Sequence, residues 1–463
     1  MTSIAGNFSP FEARMRAESL PEVAIKTFEH YYTQLVKGHT GLISENDILP
    51  VASLPNAETF SIDLVQAGQA ALSQTVLLKL NGGLGTSMGL DKAKSLLPVK
   101  NGLSFLDIIA RQALQTNIPL VLMNSFVTRT DSLAALKPYP NLWGDIPLDF
   151  LQHKIPKITQ ADLSPAAWPP NPDLEWCPPG HGDLYTALIT SGMLDALLEA
   201  GYEYAFASNA DNLGAVIDLA ILGYFTQNRL PFMMEVADRT EADKKGGHLA
   251  QLPNGQLILR ESAQCPAADM DAFQDVSRHK YFNTNNLWLN LTTLKEVLVA
   301  KDNVLGLPMI RNSKTVDPRD SASTPVYQLE TAMGSAIAVF EGAGAIRVPR
   351  TRFAPVKTTS DLLAVRSDAY TLTGDYRVVP NPARKLGQVV VDLDSAYYKL
   401  VDDMEARFPY GAPSLLACER LTIKGDIHFG RSVTLKGEVS LVNESGQPAT
   451  VDSDIIIEGD LQW

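Results

Sequence analysis

The chain has 463 residues, 45% of them hydrophobic, which is enough to bury a large core and suits two or three domains. A formal net charge of -13 leaves no basic face for a polynucleotide or an anionic membrane, so any anionic ligand must be small and held by local lysines and backbone amides. Cys177, Cys265 and Cys418 lack the paired spacing of a zinc site or redox dithiol, residues 1–15 lack a signal-peptide pattern, and no apolar run approaches the ~18 residues that span a bilayer; a cytoplasmic location is expected.

Ala24, Phe28, Tyr32 and Leu35 recur at three- to four-residue steps between charged residues, which predicts an amphipathic helix. It belongs to a helical N-terminal segment, residues 1–55, read as a packing or lid element. From residue 75, apolar runs alternate with helical patterns: a strand at 76–80, a helix at 105–114, strands at 119–123 and 204–208, then a helix at 216–225. This alternation predicts βαβ units around a mostly parallel mixed sheet in a domain spanning 56–385, an α/β fold with active residues at the carboxyl ends of strands.

The first of these strands runs into Asn81-Gly82-Gly83-Leu84-Gly85-Thr86-Ser87-Met88-Gly89. Glycines lack Cβ and reach positive φ, so such a loop brings several backbone N–H groups close to a phosphate, with Leu84 and Met88 as packing anchors. The dinucleotide pattern Gly-x-Gly-x-x-Gly fails at Met88, and no Walker pattern fits. What remains is Gly-Gly-x-Gly-Thr followed by Lys94. Six prolines between residues 164 and 179 predict a fixed surface loop leading into Gly180-His181-Gly182-Asp183.

Residues 386–463 change character. Leu421, Ile427, Val433, Val439, Val451, Ile457 and Trp463 fall on a period of six, with Ser445 the polar exception, and Ile423, Phe429, Leu435 and Leu441 follow at plus two. A hexad of this kind predicts a parallel β-helix with these side chains inward, although an ordinary β-meander keeping phase would show the same alternation.

The run from Lys79 to Gly89 resembles the nucleotide-binding loop of the eukaryotic-type UTP:glucose-1-phosphate uridylyltransferases. The runs Met123-Asn124-Ser125-Phe126, Pro179-Gly180-His181-Gly182-Asp183, Ser208-Asn209-Ala210-Asp211-Asn212, Phe282-Asn283-Thr284-Asn285-Asn286, Gln328-Leu329-Glu330-Thr331 and Arg352-Phe353-Ala354-Pro355-Val356-Lys357 are similar to further motifs of that family, in the family's order. One departure is the pair Lys92-Ala93, where members often have Gly-Pro.

The resemblance implies a Rossmann-like nucleotidyltransferase domain followed by a left-handed parallel β-helix, and a Mg²⁺-dependent transfer of the uridylyl group of UTP to glucose-1-phosphate. The nucleophile is already an anion, so catalysis by positioning and charge neutralisation is expected rather than by a general base. Carried over from the motifs, Leu80, Asn81, Gly82 and Gly83 cradle the nucleotide with Lys94 on its phosphates, and Lys357 is the catalytic lysine. Gln152 reads the uracil edge, Gly180 lets the backbone approach the ring, and His181 contacts substrate. Asn209, Asn283 and Asn285 hold the sugar, and Asp211 holds the metal. Taken alone, Asp211, Asn283 and Asn285 also suit turns, and His181 suits a satisfied loop histidine. A dehydrogenase would need the missing third glycine; a non-catalytic UTP-binding protein and a transferase for another sugar phosphate stay open. UTP and glucose-1-phosphate are the expected partners, nucleic acid and membrane are not, and a homo-oligomer joined through the residues after Leu421 is a further expectation.

Overall fold

The computed structural model describes residues 7–142 and 144–463. Its centre is a ten-stranded mixed sheet. Strands Asp149–Leu151, Leu120–Asn124, Thr75–Asn81 and Tyr204–Asn209 lie side by side in parallel, and Tyr281–Asn290 adds antiparallel to the last of them. Farther out, Phe232–Asp238 pairs antiparallel with Tyr281–Asn290 and parallel with Gly344–Arg347. This is the expected α/β architecture, with a Rossmann-like parallel half.

The sequence Thr-Val-Leu-Leu-Lys-Leu-Asn of strand Thr75–Asn81 is almost wholly buried, as befits a strand covered on both faces. Successive side chains enter opposite cores. Leu77 joins Phe206 and Trp288 in one, while Val76 and Leu78 join Ala205 and Ala207 in the other. The exception is Lys79, whose ammonium donates to Ser208 Oγ at 2.6 Å and to the Ala215 carbonyl at 2.9 Å. Burial pushes its pKa down to about 7. Helix Phe105–Thr116 starts on a capping box between Ser104 and Asp107 and stops at Asn117 in the left-handed region, φ 53°.

In the N-terminal segment, helix Glu22–Val36 buries Ala24, Phe28, Tyr32 and Leu35, the four residues whose spacing predicts it. Phe28, Tyr32 and Leu35 join Phe11 and Met15 of helix Ser9–Ala17 in a small core with Ile155, Ile158, Met309 and Leu329. Residues 1–6 of that segment lie outside the described residues. Among the described residues no helix is long and apolar enough to cross a membrane.

Toward the C-terminus, strands Val390–Leu393, Ser414–Lys424, Thr434–Val442 and Ile456–Gln462 form a parallel sheet in that order, and Ile427–Phe429 pairs in parallel with Ala449–Val451. Leu421 lies beside Val439, Ile427 beside Ala449 and Leu435 beside Ile457. Parallel neighbours exclude a β-meander, whose adjacent strands run antiparallel. Leu421, Ile427, Val433, Val439, Val451 and Ile457 are buried as the hexad requires, as are Ile423, Phe429, Leu435 and Leu441. Trp463 departs from it and is 38% exposed. A register shift slips the last strand by two residues, so that Leu461 rather than Trp463 pairs with Leu441. The hydrophobic core runs without interruption from Leu77 and Phe206 through Leu362, Val389 and Tyr398 to Leu421 and Val451.

Candidate active site

The parallel strands end together. Asn81 pairs with Asn124 and Leu80 with Asn209, which brings the glycine loop, Ser125 and Asp211 to one carboxyl edge of the sheet. Beyond Asn81 the chain turns through Gly85 (φ 67°) and Gly89 (φ 78°), with Met88 buried beneath. A Cβ on Gly85 would lie 2.9 Å from the Leu90 side chain in a backbone conformation already unfavourable for L-residues. The Gly83 carbonyl then accepts the Lys94 backbone N–H at 3.1 Å, which folds the lysine back onto its own loop. The Lys94 ammonium donates to Asp211 Oδ2 at 2.7 Å.

A cleft of about 350 Å³ lies between these elements, lined by Leu80, Asn81, Gly82, Gly83, Lys94, Gln152, Gly180, His181, Asn209 and Asp211. The Gln152 N–H donates to the Asn124 carbonyl at 2.8 Å, and its side chain packs so close to Gly82 that a Cβ there would sit 2.6 Å from Oε1. Gly180 has φ 80°, and a Cβ on it would meet the Thr331 carbonyl at 2.4 Å. His181 Nδ1 accepts the Met333 N–H at 3.0 Å, so Nε2 carries the proton of the neutral ring. Burial pushes the imidazole pKa down to about 4 and keeps it neutral near pH 7, which suits a hydrogen-bond partner and not a proton shuttle. The Asn81 side chain is engaged behind the cleft, donating to Asn124 Oδ1 at 2.7 Å and to Ser132 Oγ at 2.8 Å.

Lys357, Asn283 and Asn285 do not line this cleft. Strand Tyr281–Asn290 is irregular between Asn283, which pairs with Val236, and Asn286, which pairs with Glu235; Asn285 lies within the irregularity at φ 57°. Each holds the other: Asn283 Nδ2 donates to Asn285 Oδ1, and the Asn285 N–H donates to Asn283 Oδ1, both at 2.9 Å. Lys357 is exposed, its ammonium 5.6 Å from the centre of the Phe353 ring. Its backbone nevertheless runs beside Asp211, because the neighbouring Val356 N–H donates to the Asp211 carbonyl at 3.3 Å.

Helix Thr359–Arg366 begins at the expected cap: Thr358 and Asp361 form a capping box, and Asp361 also accepts the Lys357 N–H at 2.8 Å. At its other end the Lys100 ammonium accepts nothing and donates to the carbonyls of Val365 and Ser367. The segment carrying Lys94 thus also grips the helix that follows Lys357.

Two features go beyond the sequence reading. Glu261, half-buried near Lys357 and packed against Gly247, has its carboxyl pKa pushed up to about 6 by burial, with the Lys357 charge opposing the shift. Below Asp211, Glu235 and Arg352 form a buried bidentate pair with both N–O distances at 2.7 Å. Trp288 Nε1 and Asn286 Nδ2 donate to the same carboxylate, and Asn212 Nδ2 donates to Asn286 Oδ1 and to the Arg352 carbonyl. Arg352, Asn286 and Trp288 stand inside or beside the motif runs; their pairing with Glu235 leaves no mark in local sequence.

The family model described as UTP–glucose-1-phosphate uridylyltransferase matches residues 25–436. The chain belongs to that family. The UTP–glucose-1-phosphate uridylyltransferase of Solanum tuberosum is 42% identical over 394 residues, covering 83% of this chain and 80% of that protein. The one from Saccharomyces cerevisiae is 41% identical over 400 residues, covering 84% and 77%. Among solved structures, a variant of UDP-glucose pyrophosphorylase from Leishmania major in complex with UDP-glucose superposes with a TM-score of 0.92 at 45% identity, over 99% of this chain and 100% of that one. The motif runs that carry the uridylyltransferase resemblance lie within the matched span.

Proposed function

We propose that the cleft between the glycine loop and Asp211 is where this chain, a uridylyltransferase, joins UTP to glucose-1-phosphate to give UDP-glucose and pyrophosphate. A phosphate oxygen of the sugar phosphate attacks the α-phosphorus of UTP. The bond to the bridging oxygen breaks, and pyrophosphate leaves with that electron pair. The observation that carries this reading is the Lys94–Asp211 contact at 2.7 Å beside the glycine loop: one group for the phosphates and one for a cation, facing each other across the cleft.

The backbone of residues 80–83 cradles the phosphates and Lys94 neutralises them as a point charge. Gln152, which both donates and accepts, reads the uracil edge, and Gly180 and His181 form the facing wall. Asn209, with Asn283 and Asn285 farther along the edge, holds the sugar hydroxyls. Lys357, whose neighbour Val356 donates to the Asp211 carbonyl, bridges the phosphates in the transition state. Among the described residues no group of three or more His, Cys, Asp or Glu side chains is arranged to hold a metal alone. The lone Asp211 carboxylate fits Mg²⁺, which takes one or two carboxylates and completes its sphere with phosphates and water. Bound there, the ion supplies charge neutralisation at the reacting phosphate.

We further read the stacked parallel strands of residues 386–463 as a left-handed β-helix following a 56–385 catalytic domain and a 1–55 N-terminal segment. Strand Ile456–Gln462 is the open edge of its sheet, and Ile456, Leu461 and Trp463 are exposed there, which favours self-association along it. The three cysteines are free and buried, consistent with a cytoplasmic setting.

An end-point assay of pyrophosphate release with UTP, Mg²⁺ and a panel of sugar-1-phosphates tests the reaction: glucose-1-phosphate should be the preferred acceptor. Binding of UTP without release would replace the enzyme by a binding protein. Light scattering on Ile456→Glu tests the edge, since an unchanged mass would remove the oligomer.

A further inference from the structure

The residue after Gln152 is turned away from the cleft. His153 is buried and held by one carboxylate: Asp183 Oδ2 accepts the His153 backbone N–H at 2.6 Å, and the two Asp183 oxygens accept from ring Nδ1 at 2.9 and 3.1 Å. The other ring nitrogen meets Thr190 Oγ at 3.0 Å. Both side chains are less than a tenth exposed. Asp183 and Thr190 are the first and last residues of helix Asp183–Thr190, so the imidazole is tied to both ends of one element. That helix starts directly after Gly180, His181 and Gly182, the opposite wall of the cleft. The wall is itself fixed, with the Gly182 N–H donating to the Thr331 carbonyl at 2.8 Å.

We propose that Asp183 is a positioning residue for nucleobase recognition: by holding the backbone and ring of His153, it sets the width of the slot between Gln152 and the Gly180–His181 wall, and so the choice among pyrimidines. The inference rests on the reading of Gln152 as the residue facing the uracil edge. A primary amide turned over by a half-rotation exchanges its donor and acceptor, and then suits the amino group and ring nitrogen of cytosine as well as it suited uracil. The Gln152 amide is seated close to Gly82, where a Cβ would lie 2.6 Å from Oε1 and 3.1 Å from Nε2, and the room left for a turned amide and its base depends on the main chain at 152–153, which Asp183 holds. Lys94 and Asp211 hang from other strands, so loosening this wall leaves the phosphate chemistry in place.

The test compares UTP and CTP with the full chain and its variants. Asp183→Asn should raise KM for UTP about tenfold and erode the UTP over CTP preference in kcat/KM by about tenfold, with kcat at saturating UTP within about twofold. Should Asp183→Asn fail to fold, His153→Ala carries the same measurement. His153→Gln, which retains a donor toward Asp183, should recover part of the loss. Adding His153→Ala to Asp183→Asn should cost little beyond Asp183→Asn alone, as expected where the ring acts through that carboxylate. If Gln152→Ala abolishes the preference while Asp183→Asn and His153→Ala keep both KM and preference, the positioning role is overturned and the Gln152 reading stands. If Gln152→Ala keeps the preference, both fall.

Discussion

Lys94 and Asp211 pair with each other in the structure, and under the proposed function each serves a different part of the incoming nucleotide complex. Replacing the carboxylate removes a competitor for the lysine and a negative charge from a site that must accept triphosphate. Asp211→Asn should therefore bind UTP several-fold more tightly in the presence of a chelator while losing Mg²⁺-dependent turnover, as read by calorimetry and pyrophosphate release. Weaker metal-free binding would argue that Asp211 orders the cleft and does not restrain Lys94. Lys357 sits apart from that pair, and the proposed function gives it a transition-state role. Lys357→Ala should lower kcat by about a hundredfold or more with modest change in UTP affinity. Steady-state and binding measurements separate the two, and an intact kcat with much weaker UTP binding would assign Lys357 to the ground state. That Lys94, Gln152 and Asp211 line one cleft was legible because each follows closely on a strand end, Asn81, Leu151 or Asn209, that the parallel sheet brings to one edge. Glu261 and the Glu235–Arg352 pair were not, since their neighbours are brought near only by strand pairing.

In the glycine loop, Ala93 occupies the position where relatives often carry proline. It is buried and takes φ -53° and ψ 128°, a geometry that proline adopts without strain. The approach to Lys94 is thus shaped as a proline would shape it, through the Gly83–Lys94 hydrogen bond and burial instead of a ring. Ala93→Pro should stabilise the protein by about 0.4–1 kcal/mol, by restricting the unfolded chain, with kinetics unchanged. A lower melting temperature would show that the ring meets a neighbour the alanine avoids. Element by element, the strands and helices around the loop were readable from apolar runs and from caps such as Thr358 with Asp361. The irregularity at Asn283 and Asn285 and the two-residue slip that exposes Trp463 were not, because both depend on the partner strand's register.

Across the whole molecule, the buried Glu235–Arg352 pair anchors the strand carrying Asn286 and Trp288 to the loop carrying Asn212, the residue after Asp211. Arg352→Met strands a charged carboxylate in the core and should cost on the order of 3–5 kcal/mol, whereas Arg352→Met with Glu235→Leu should regain most of that loss in urea unfolding. Additive costs would mean that the two side chains act separately. The α/β class and the repeat of the last parallel strands were visible in the sequence. The unbroken core joining them was not, because periodicity reports which side chain is inward and never what it meets.

The grip of Lys100 on the carbonyls of Val365 and Ser367 also has a consequence for synthesis. A ribosome adding roughly 5–20 residues per second completes the phosphate cradle and Asp211 many seconds before it reaches Lys357 and the helix that Lys100 caps. Lys100 therefore waits, without the carbonyls it caps, until the last third of the chain emerges.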